Sequence, residues 1–466
     1  MSILRKTFLT LFFLWGCLVA YKARADELKY LAHPQESLSA FVRLAEQSKT
    51  SLELSTFIFE PCHASTQVLM DVLAARAKAG VKVRILLDAF MIDQGNRQEL
   101  ANYFAKNGIQ VRFYNDTAMV DPGGNLRLHS KVMIVDGAAY ISGGRNISDE
   151  YFAMSAKQNW VDRDVYVYGS SATQAVKYFN EIWASDMTKN RKGSGSAFKG
   201  WNKYCGTELS KRAPDVRAFI DAKGNDLINR IPSRTCASVK FYNDAPDFGN
   251  PKYSDEFGDF NNTPDSYMTP MRMERKRTTK NLLQFIEDTR SQIDLENWGY
   301  IPVGYLRNAF SGLRSRNVKV KGIVNRDMES GPKFFQEAQE WAISWISGED
   351  SEGSQSIRLI SSLGKLKDSY ELTVPKVNFF LHGKVMVRDQ RDAVVSSFNL
   401  DARSYNTNLE SAVMVKNCPE FAADVKREIS KVNATYDDDV KSGRVPEKEE
   451  AGLFSKIFAL MNLNLF

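Results

Sequence analysis

LHSKVMIVDGAAYISGGRNISDEYF, residues 128–152, and LHGKVMVRDQRDAVVSSFNLDARS, residues 381–404, are two versions of one pattern. In the first, His129 and Lys131 lead to Asp136 and then to the turn Gly143-Gly144-Arg145-Asn146. In the second, His382, Lys384, Asp389 and Asn399 recur at the same spacings, with Ser396-Ser397-Phe398 ahead of the asparagine. The chain holds only four histidines, and two of them occupy the matching position of these copies. A duplication of that kind is the signature of a repeated structural unit.

Working outward, each copy ends a similar series of elements. Residues 51–60 (SLELSTFIFE) alternate and read as a strand. Residues 65–78 place Val68, Leu69, Val72, Leu73 and Ala77 at helical spacing. Residues 81–87 form a near-continuous apolar run, as in a buried parallel strand. A helix over 97–106 and strands over 110–114 and 131–135 follow. In the second half the order returns: strand 291–302, helix 305–314, strand 318–324, helix 334–345 and strand 356–360. Short links between such elements imply right-handed crossovers. The expected architecture is therefore α/β, a pseudo-two-fold pair of domains over 26–190 and 281–440. Each would be a mixed, mostly parallel sheet flanked by helices, with one motif from each half meeting at the interface.

The remaining segments differ in composition. Residues 191–280 are rich in Gly, Pro, Asn and Asp and read as a loop-rich insertion or linker. Arg272, Arg275, Lys276, Arg277 and Lys280 close it, as either a solvated helix start or a contact for anionic lipid headgroups. Residues 441–466 are a charged spacer followed by LFSKIFALMNLNLF, too few apolar residues to span a bilayer. That segment docks on the domain or lies in a membrane interface.

Residues 1–25 read as a secretory signal peptide: Arg5 and Lys6, an apolar run over 7–20, then Ala23-Arg24-Ala25 before Asp26. The alternative is an uncleaved N-terminal anchor. The implied location is the periplasm or cell envelope of a bacterium, peripheral on the membrane. The segment carries Arg5, Lys6, Lys22 and Arg24 and no acid, so the formal charge of +6 falls to +2 without it. A basic groove for nucleic acid is not implied. Cys62, Cys205, Cys236 and Cys418 remain, and in an exported protein they are free to form disulfides. Cys205 and Cys236, flanking an irregular stretch, are the expected pair. No Cys or His cluster has metal-ligand spacing, so neither a metal nor a cofactor is expected.

The motif residues suit phosphodiester chemistry. In an extended chain, residues i and i+2 share a face, which puts His129 with Lys131 and His382 with Lys384. Two lysines and the two asparagines, Asn146 and Asn399, would cradle a phosphate. One imidazole attacks phosphorus while the other protonates the leaving oxygen. A nucleophilic histidine needs a carboxylate on its second ring nitrogen. Glu410 and Asp162, on the strands that follow the motifs, are the candidates, with Asp164 as a rival two residues on. Asp136 and Asp389 complete the catalytic signature but stand five residues beyond the lysines. They read as ties between the strand end and neighbouring loops. His33 and His63 have no such partners and read as incidental.

These motifs resemble the phospholipase D superfamily, with its two HxKxxxxD signatures and following GGxN- or GSxN-like turns. GGRNISDEYF and SSFNLDARSYNTNLE are similar to its bacterial cardiolipin synthase branch, although Ser396 stands where the family has glycine. The resemblance implies a pair of phospholipase D-like α/β domains and metal-independent, two-step transfer through a phosphohistidine. His129 would be the nucleophile and His382 the general acid and then base. Lys131, Lys384, Asn146 and Asn399 would hold the phosphate, and Asp162 and Glu410 would orient the histidines. The implied substrate is a glycerophospholipid at a membrane surface, turned over by a monomer built as an internal pseudo-dimer. Phosphatidylglycerol would go to cardiolipin plus glycerol, or lipid would be hydrolysed. An exported endonuclease of the same superfamily is the alternative, disfavoured by the near-neutral charge.

Overall fold

The computed structural model describes residues 25–116, 126–246, 270–325, 337–340, 342–343, 355–360, 371–372 and 377–435. The expected leader, save Ala25, and the terminal segment 441–466 lie outside that set, as does much of the helix expected over 334–345. The first half runs β1 (Asp26–Leu31), α1 (Pro34–Gln47), β2 (Ser51–Thr56), α2 (Ala64–Lys78), β3 (Lys82–Asp88), α3 (Gln94–Lys106) and β4 (Gln110–Tyr114). It continues with β5 (Arg127–Leu128), β6 (Val132–Val135), β7 (Ala139–Gly143), β8 (Gln158–Val161), β9 (Asp164–Tyr168), α4 (Ala172–Trp183) and β10 (Thr188–Lys189). Between the halves lie α5 (Trp201–Cys205), α6 (Glu208–Arg230), β11 (Arg234–Cys236), β12 (Ser238–Asn243), α7 (Pro270–Arg275) and α8 (Arg277–Glu287). The second half is β13 (Gln292–Asn297), α9 (Gly304–Ser315), β14 (Lys319–Asn325), β15 (Gln355–Ile360), β16 (Asn378–Leu381), β17 (Val385–Arg388) and β18 (Asp392–Ser396). It closes with α10 (Ala402–Asn406), β19 (Asn408–Leu409), β20 (Ser411–Lys416) and α11 (Pro419–Thr435).

Two large sheets result, in the orders β10-β4-β3-β2-β6-β7-β9-β1-β11 and β12-β20-β18-β17-β13-β14-β15. The run β3-β2-β6-β7-β9 matches β14-β13-β17-β18-β20 strand for strand, so the repeat in sequence is a repeat in space. The sheets are mixed, but not mostly parallel. Parallel pairing is confined to β2-β3-β4 and β13-β14-β15, and the other neighbours in the two sheets are antiparallel. Connection length explains the difference. The helical crossovers give parallel pairs, whereas the motif strand returns through a tight turn that can only join antiparallel strands. Asp136 and Gly137 have φ of 53° and 61°, and Asp389 and Gln390 have φ of 50° and 55°. Positive φ at both central residues is the hairpin turn that suits sheet twist.

The apolar motif strands are buried on both faces. Val132 and Ile134 enter a core shared by the two halves, together with Val385 and Val387. Met133 and Val135 point the other way, into a core with residues of α1 and α2. Each such side chain contributes roughly 1.5–3 kcal/mol relative to exposure. Helix α4 and helix α11 contribute Phe179, Ile182, Phe421 and Val425 to the shared core. Among the described residues, no helix is long and apolar enough to cross a membrane.

The segment between the halves is more regular than its composition suggests. Pro214 and Gly224 look like helix breakers, yet both lie inside the 23-residue α6. Val216 and Ile220 of this helix enter the first-half core. Gly224 marks its crossing of α1, where a Cβ would come within 3.3 Å of Ser39. This helix also overturns the expected Cys205–Cys236 bridge. It separates those cysteines by about 35 Å along its axis, far beyond the reach of a disulfide. The bonds present are Cys62–Cys205 and Cys236–Cys418.

Non-reducing digestion followed by mass spectrometry is therefore expected to yield linked peptides for Cys62–Cys205 and Cys236–Cys418. A Cys205–Cys236 peptide would contradict the placement of α6.

Candidate active site

Two short parallel ladders cross between the halves. Strand β5 pairs with β19 (Arg127 with Asn408, Leu128 with Leu409), and β16 pairs with β8 from Asn378–Gln158 to Leu381–Val161. The residue after each ladder is an active-site group. His129 N–H donates to Leu409 O at 2.9 Å, one residue before Glu410. His382 N–H donates to Val161 O at 2.7 Å, one residue before Asp162. Each histidine is thus set beside a carboxylate of the opposite half. His129 Nδ1 lies 2.9 Å from Glu410 Oε2, and His382 Nδ1 bonds Asp162 Oδ2. A carboxylate on Nδ1 keeps that nitrogen protonated and leaves the Nε2 lone pair free.

Both His-x-Lys pairs lie in the connections just before β6 and β17. Lys131 Nζ donates to His129 O at 2.6 Å. Lys384 Nζ donates to His382 O and stands 2.7 Å from His382 Nδ1. Asn146 Oδ1 accepts from Ile58 N at 3.1 Å, leaving its NH2 to donate elsewhere. The Asn399 backbone N–H donates to Ser404 Oγ at 3.1 Å, while its Oδ1 has no partner among the described residues. These six side chains and the two carboxylates are all buried.

Glu410 also accepts from Ser404 Oγ at 2.7 Å and Asn408 Nδ2 at 3.1 Å, and from Ser397 Oγ. Ser397 stands where the first motif has Gly144, whose added Cβ would meet Asp162 Oδ1 at 2.2 Å. A serine is accommodated in the second copy because its hydroxyl bonds the carboxylate. Asp164, the rival of Asp162, is committed elsewhere, to Arg145 at 2.9 Å and Ser37 at 2.8 Å.

Burial dominates the protonation of the site. It pushes His129 down to about 4 against the pull of Glu410, with the Lys131 charge acting in the same direction. It pushes His382 down to about 3, helped by Lys384 and opposed by Asp162. Lys131 and Lys384 are lowered to about 7 and about 8 by the same loss of solvent, partly offset by the carboxylates. Burial alone would raise Asp162 and Glu410, but it is outweighed. Lys384 and His382 hold Asp162 at about 2, and His129 and Lys131 hold Glu410 at about 2. The resting site thus contains two neutral imidazoles with ionised partners, together with lysine charge that an arriving anion would stabilise.

Several contributors carry no motif signal. Phe57 packs edge-on against His129 with ring centroids 4.9 Å apart, and Tyr151 and Trp160 lie 5.1 and 5.3 Å from His382. Tyr151 Oη comes within 3.5 Å of His382 Nε2. Arg163 spans the halves through a two-point pair with Glu296 at 2.9 and 3.0 Å. A Cβ at Gly383 would meet that glutamate at 1.9 Å, so the glycine of His382-Gly-Lys384 makes room for the pair. Burial plus a facing charge decides such roles, and neither is visible in a linear sequence. Arg145, fully buried, organises the first turn by bonding Leu31 O, Ser37, Tyr151 O and Asp164.

The basic cluster at the end of the insertion is neither solvated as a whole nor free for headgroups. Lys276 is fully buried and bonds Asp244 Oδ2 at 2.6 Å, Ser404 O at 2.9 Å and Asn408 O at 2.6 Å. Asp244 Oδ2 in turn accepts from Glu410 N at 3.1 Å, so this pair braces the link between β19 and β20 that bears the carboxylate. Arg272 is buried against Asn406 O, Arg277 pairs with Glu181, and Lys280 pairs with Glu274. His63 is not incidental either, since its Nδ1 accepts from Asp149 N at 3.0 Å.

Asp136 and Asp389 sit away from the imidazoles, at the hairpin turns. Asp136 accepts from the amides of Lys49, Thr50 and Ser51, and Asp389 from those of Arg290, Ser291 and Gln292. Each fastens the motif hairpin to the start of the adjacent strand, β2 or β13, which runs antiparallel to the motif strand. These amide bonds hold both carboxyls below their ordinary value, even though partial burial opposes it.

A family model described as "Cardiolipin synthase, PLD-like domain" matches residues 41–183 and 282–432, more than half of the chain and one motif in each span. An uncharacterised protein of Helicobacter pylori (strain ATCC 700392 / 26695) is 26% identical over 407 residues, covering 83% of this chain and 75% of that one. Cardiolipin synthase C of Escherichia coli (strain K12) is 31% identical over 162 residues, 32% of this chain and 34% of that protein. The crystal structure of a phosphatidylserine synthase from Haemophilus influenzae Rd KW20 superposes with a TM-score of 0.56 at 12% identity, covering 88% and 85% of the two chains. That likeness is one of fold.

Asp136→Asn and Asp389→Asn retain the shape and tolerate the positive φ, so they isolate the charge. A carboxyl held below its ordinary value stabilises the fold above that value, and the benefit is lost as pH falls through the folded one. Each variant is expected to lose about 1 kcal/mol near neutral pH, reduced by solvent screening. Denaturant melts should show the gap closing as the medium is acidified below the ordinary carboxylate range. A gap independent of pH would contradict the capping role.

Proposed function

Because the chain belongs to the phospholipase D superfamily, within its cardiolipin synthase-like branch, we propose that it transfers phosphatidyl groups between glycerophospholipids. The observation carrying this reading is the crossed pairing of His129 with Glu410 and His382 with Asp162. It gives two imidazoles held through Nδ1, with Nε2 left for chemistry on His129 and facing the Tyr151 hydroxyl on His382, beside a lysine and asparagine phosphate cradle. His129 Nε2 attacks phosphorus and forms a P–N bond as the ester P–O bond breaks. The departing alkoxide takes a proton from His382, which is neutral in the empty site and takes up that proton when the anionic substrate adds its negative charge. Lys131, Lys384 and the amides of Asn146 and Asn399 hold the non-bridging oxygens. In the second step an acceptor alcohol returns a proton to His382 and releases His129.

The donor in this proposal is phosphatidylglycerol, and the leading product is cardiolipin plus glycerol, with hydrolysis to phosphatidic acid as the competing outcome. Two long-range disulfides fit an oxidising compartment, which supports an exported enzyme on the envelope membrane. The pseudo-two-fold site needs no second subunit, which supports a monomer. With purified protein and phosphatidylglycerol vesicles in EDTA, cardiolipin and glycerol are expected to form. His129→Ala should abolish both products, a loss of at least about 10³-fold for a nucleophile. Phosphatidic acid alone would make the protein a hydrolase. No lipid product, with cleavage of DNA instead, would replace the lipid reading by the nuclease one.

A further inference from the structure

On the His129 side of the site stand two guanidiniums that the phosphate chemistry above does not use. Arg127 precedes His129 by two residues, so the alternation of an extended segment turns both to one side. It is 5% exposed, and among the described residues its buried Nε meets no partner. One NH1 bond goes to Leu126 O at 3.0 Å. Arg403 follows Asn399 by four residues on α10 and is half-buried. It lies near enough to Arg127 for the two charges to repel, and near enough to Glu410 to be attracted.

The acids facing this pair are Asp88 and Asp401, and both spend their oxygens on backbone amides. Asp88 accepts from Leu128 N at 2.7 Å and Phe90 N at 2.8 Å, and Asp401 accepts from Ser404 N at 2.9 Å. Among the described residues, neither guanidinium makes an ion pair with a carboxylate. Two buried or half-buried cations of like sign, drawn from opposite halves and left unpaired, form a site in want of an anion. Beside them Phe90, 47% exposed, lies over the Arg127 guanidinium at 3.9 Å. An exposed ring next to an anion site suits a ligand that joins a phosphate to an apolar body.

Resting on the transfer reaction proposed above, we propose that Arg127 and Arg403 form a second phosphate subsite, which binds the phosphodiester of the acceptor lipid. An anionic lipid held there presents its primary hydroxyl to the phosphorus carried on His129. The hydroxyl oxygen bonds to phosphorus, the P–N bond breaks with its electron pair returning to the imidazole, and the hydroxyl proton passes to His382 Nε2. The subsite selects a second phospholipid over water or a neutral alcohol. It also explains why a fold that can hydrolyse would synthesise instead.

The test uses the full protein on phosphatidylglycerol vesicles containing ethanol. Three products then report three acceptors: cardiolipin for the anionic lipid, phosphatidylethanol for a neutral alcohol, and phosphatidic acid for water. Arg403→Gln and Arg127→Gln are each expected to lower the ratio of cardiolipin to phosphatidylethanol by about tenfold or more, with Arg403→Lys recovering part of it. A purely structural role would depress all products together and leave the ratio unmoved, which overturns the subsite. Should neither glutamine variant fold, Arg403→Lys, which keeps the charge and loses the two-point contact, must still lower the ratio below that of the wild type, and an unmoved ratio again overturns the proposal. Inorganic phosphate added to the wild type then tells a site that also takes free phosphate, where the ratio falls, from one that needs the lipid, where it does not. Phosphatidylethanol without cardiolipin in the wild type overturns the subsite alone, whereas none of the three products overturns the transfer reaction with it.

Discussion

Two backbone hydrogen bonds, His129 N–H to Leu409 O and His382 N–H to Val161 O, set the geometry of the candidate site. Each crosses from one half to the other and ends one residue short of a carboxylate. The pairing of imidazole with carboxylate is therefore not a property of either half. It exists only because β5 lies on β19 and β16 lies on β8. A shift of one residue in either short ladder would turn the acid to the opposite face and leave a buried histidine without its partner.

The surrounding structure serves that register. The shared core holds the two motif hairpins against each other, with Val132 and Ile134 from one and Val385 and Val387 from the other. Asp136 and Asp389 pin those hairpins to the starts of β2 and β13. Arg163 with Glu296 ties the halves together beside the His382 pair, and Lys276 with Asp244 braces the link bearing Glu410 from behind. Low dielectric surroundings then keep both imidazoles neutral while the nearby cations keep both carboxylates ionised. From that state one histidine can attack and the other can accept a proton.

Much of this was legible in the sequence. The repeated His-x-Lys and asparagine spacing named the buried side chains that the structure gathers at the candidate site. Hydrophobic runs located the parallel strands of each half, because apolar periodicity reports burial directly. The turns at Asp136-Gly137 and Asp389-Gln390 carry a weaker signal than the apolar runs around them, which is why mostly parallel sheets were expected. Helix α6 was hidden because Pro214 and Gly224 imitate breakers when the packing that tolerates them is unseen. The disulfide partners followed the same error. Arg272 and Lys276 read as surface charge, since nothing in a linear stretch shows that Asp244 and three carbonyl oxygens will meet them. The crossing of histidines to carboxylates of the opposite half was also illegible, being decided by two short ladders between distant segments.

Nitrogen-15 NMR of the imidazoles tests that crossing most directly, and with four histidines in the chain the spectra are assignable. Near neutral pH, both active-site rings should be neutral and protonated on Nδ1. Glu410→Gln should then perturb the His129 resonances and leave those of His382 largely in place, while Asp162→Asn does the converse. If Glu410→Gln instead shifted His382 and spared His129, each half would orient its own histidine, in direct contradiction of the crossed pairing.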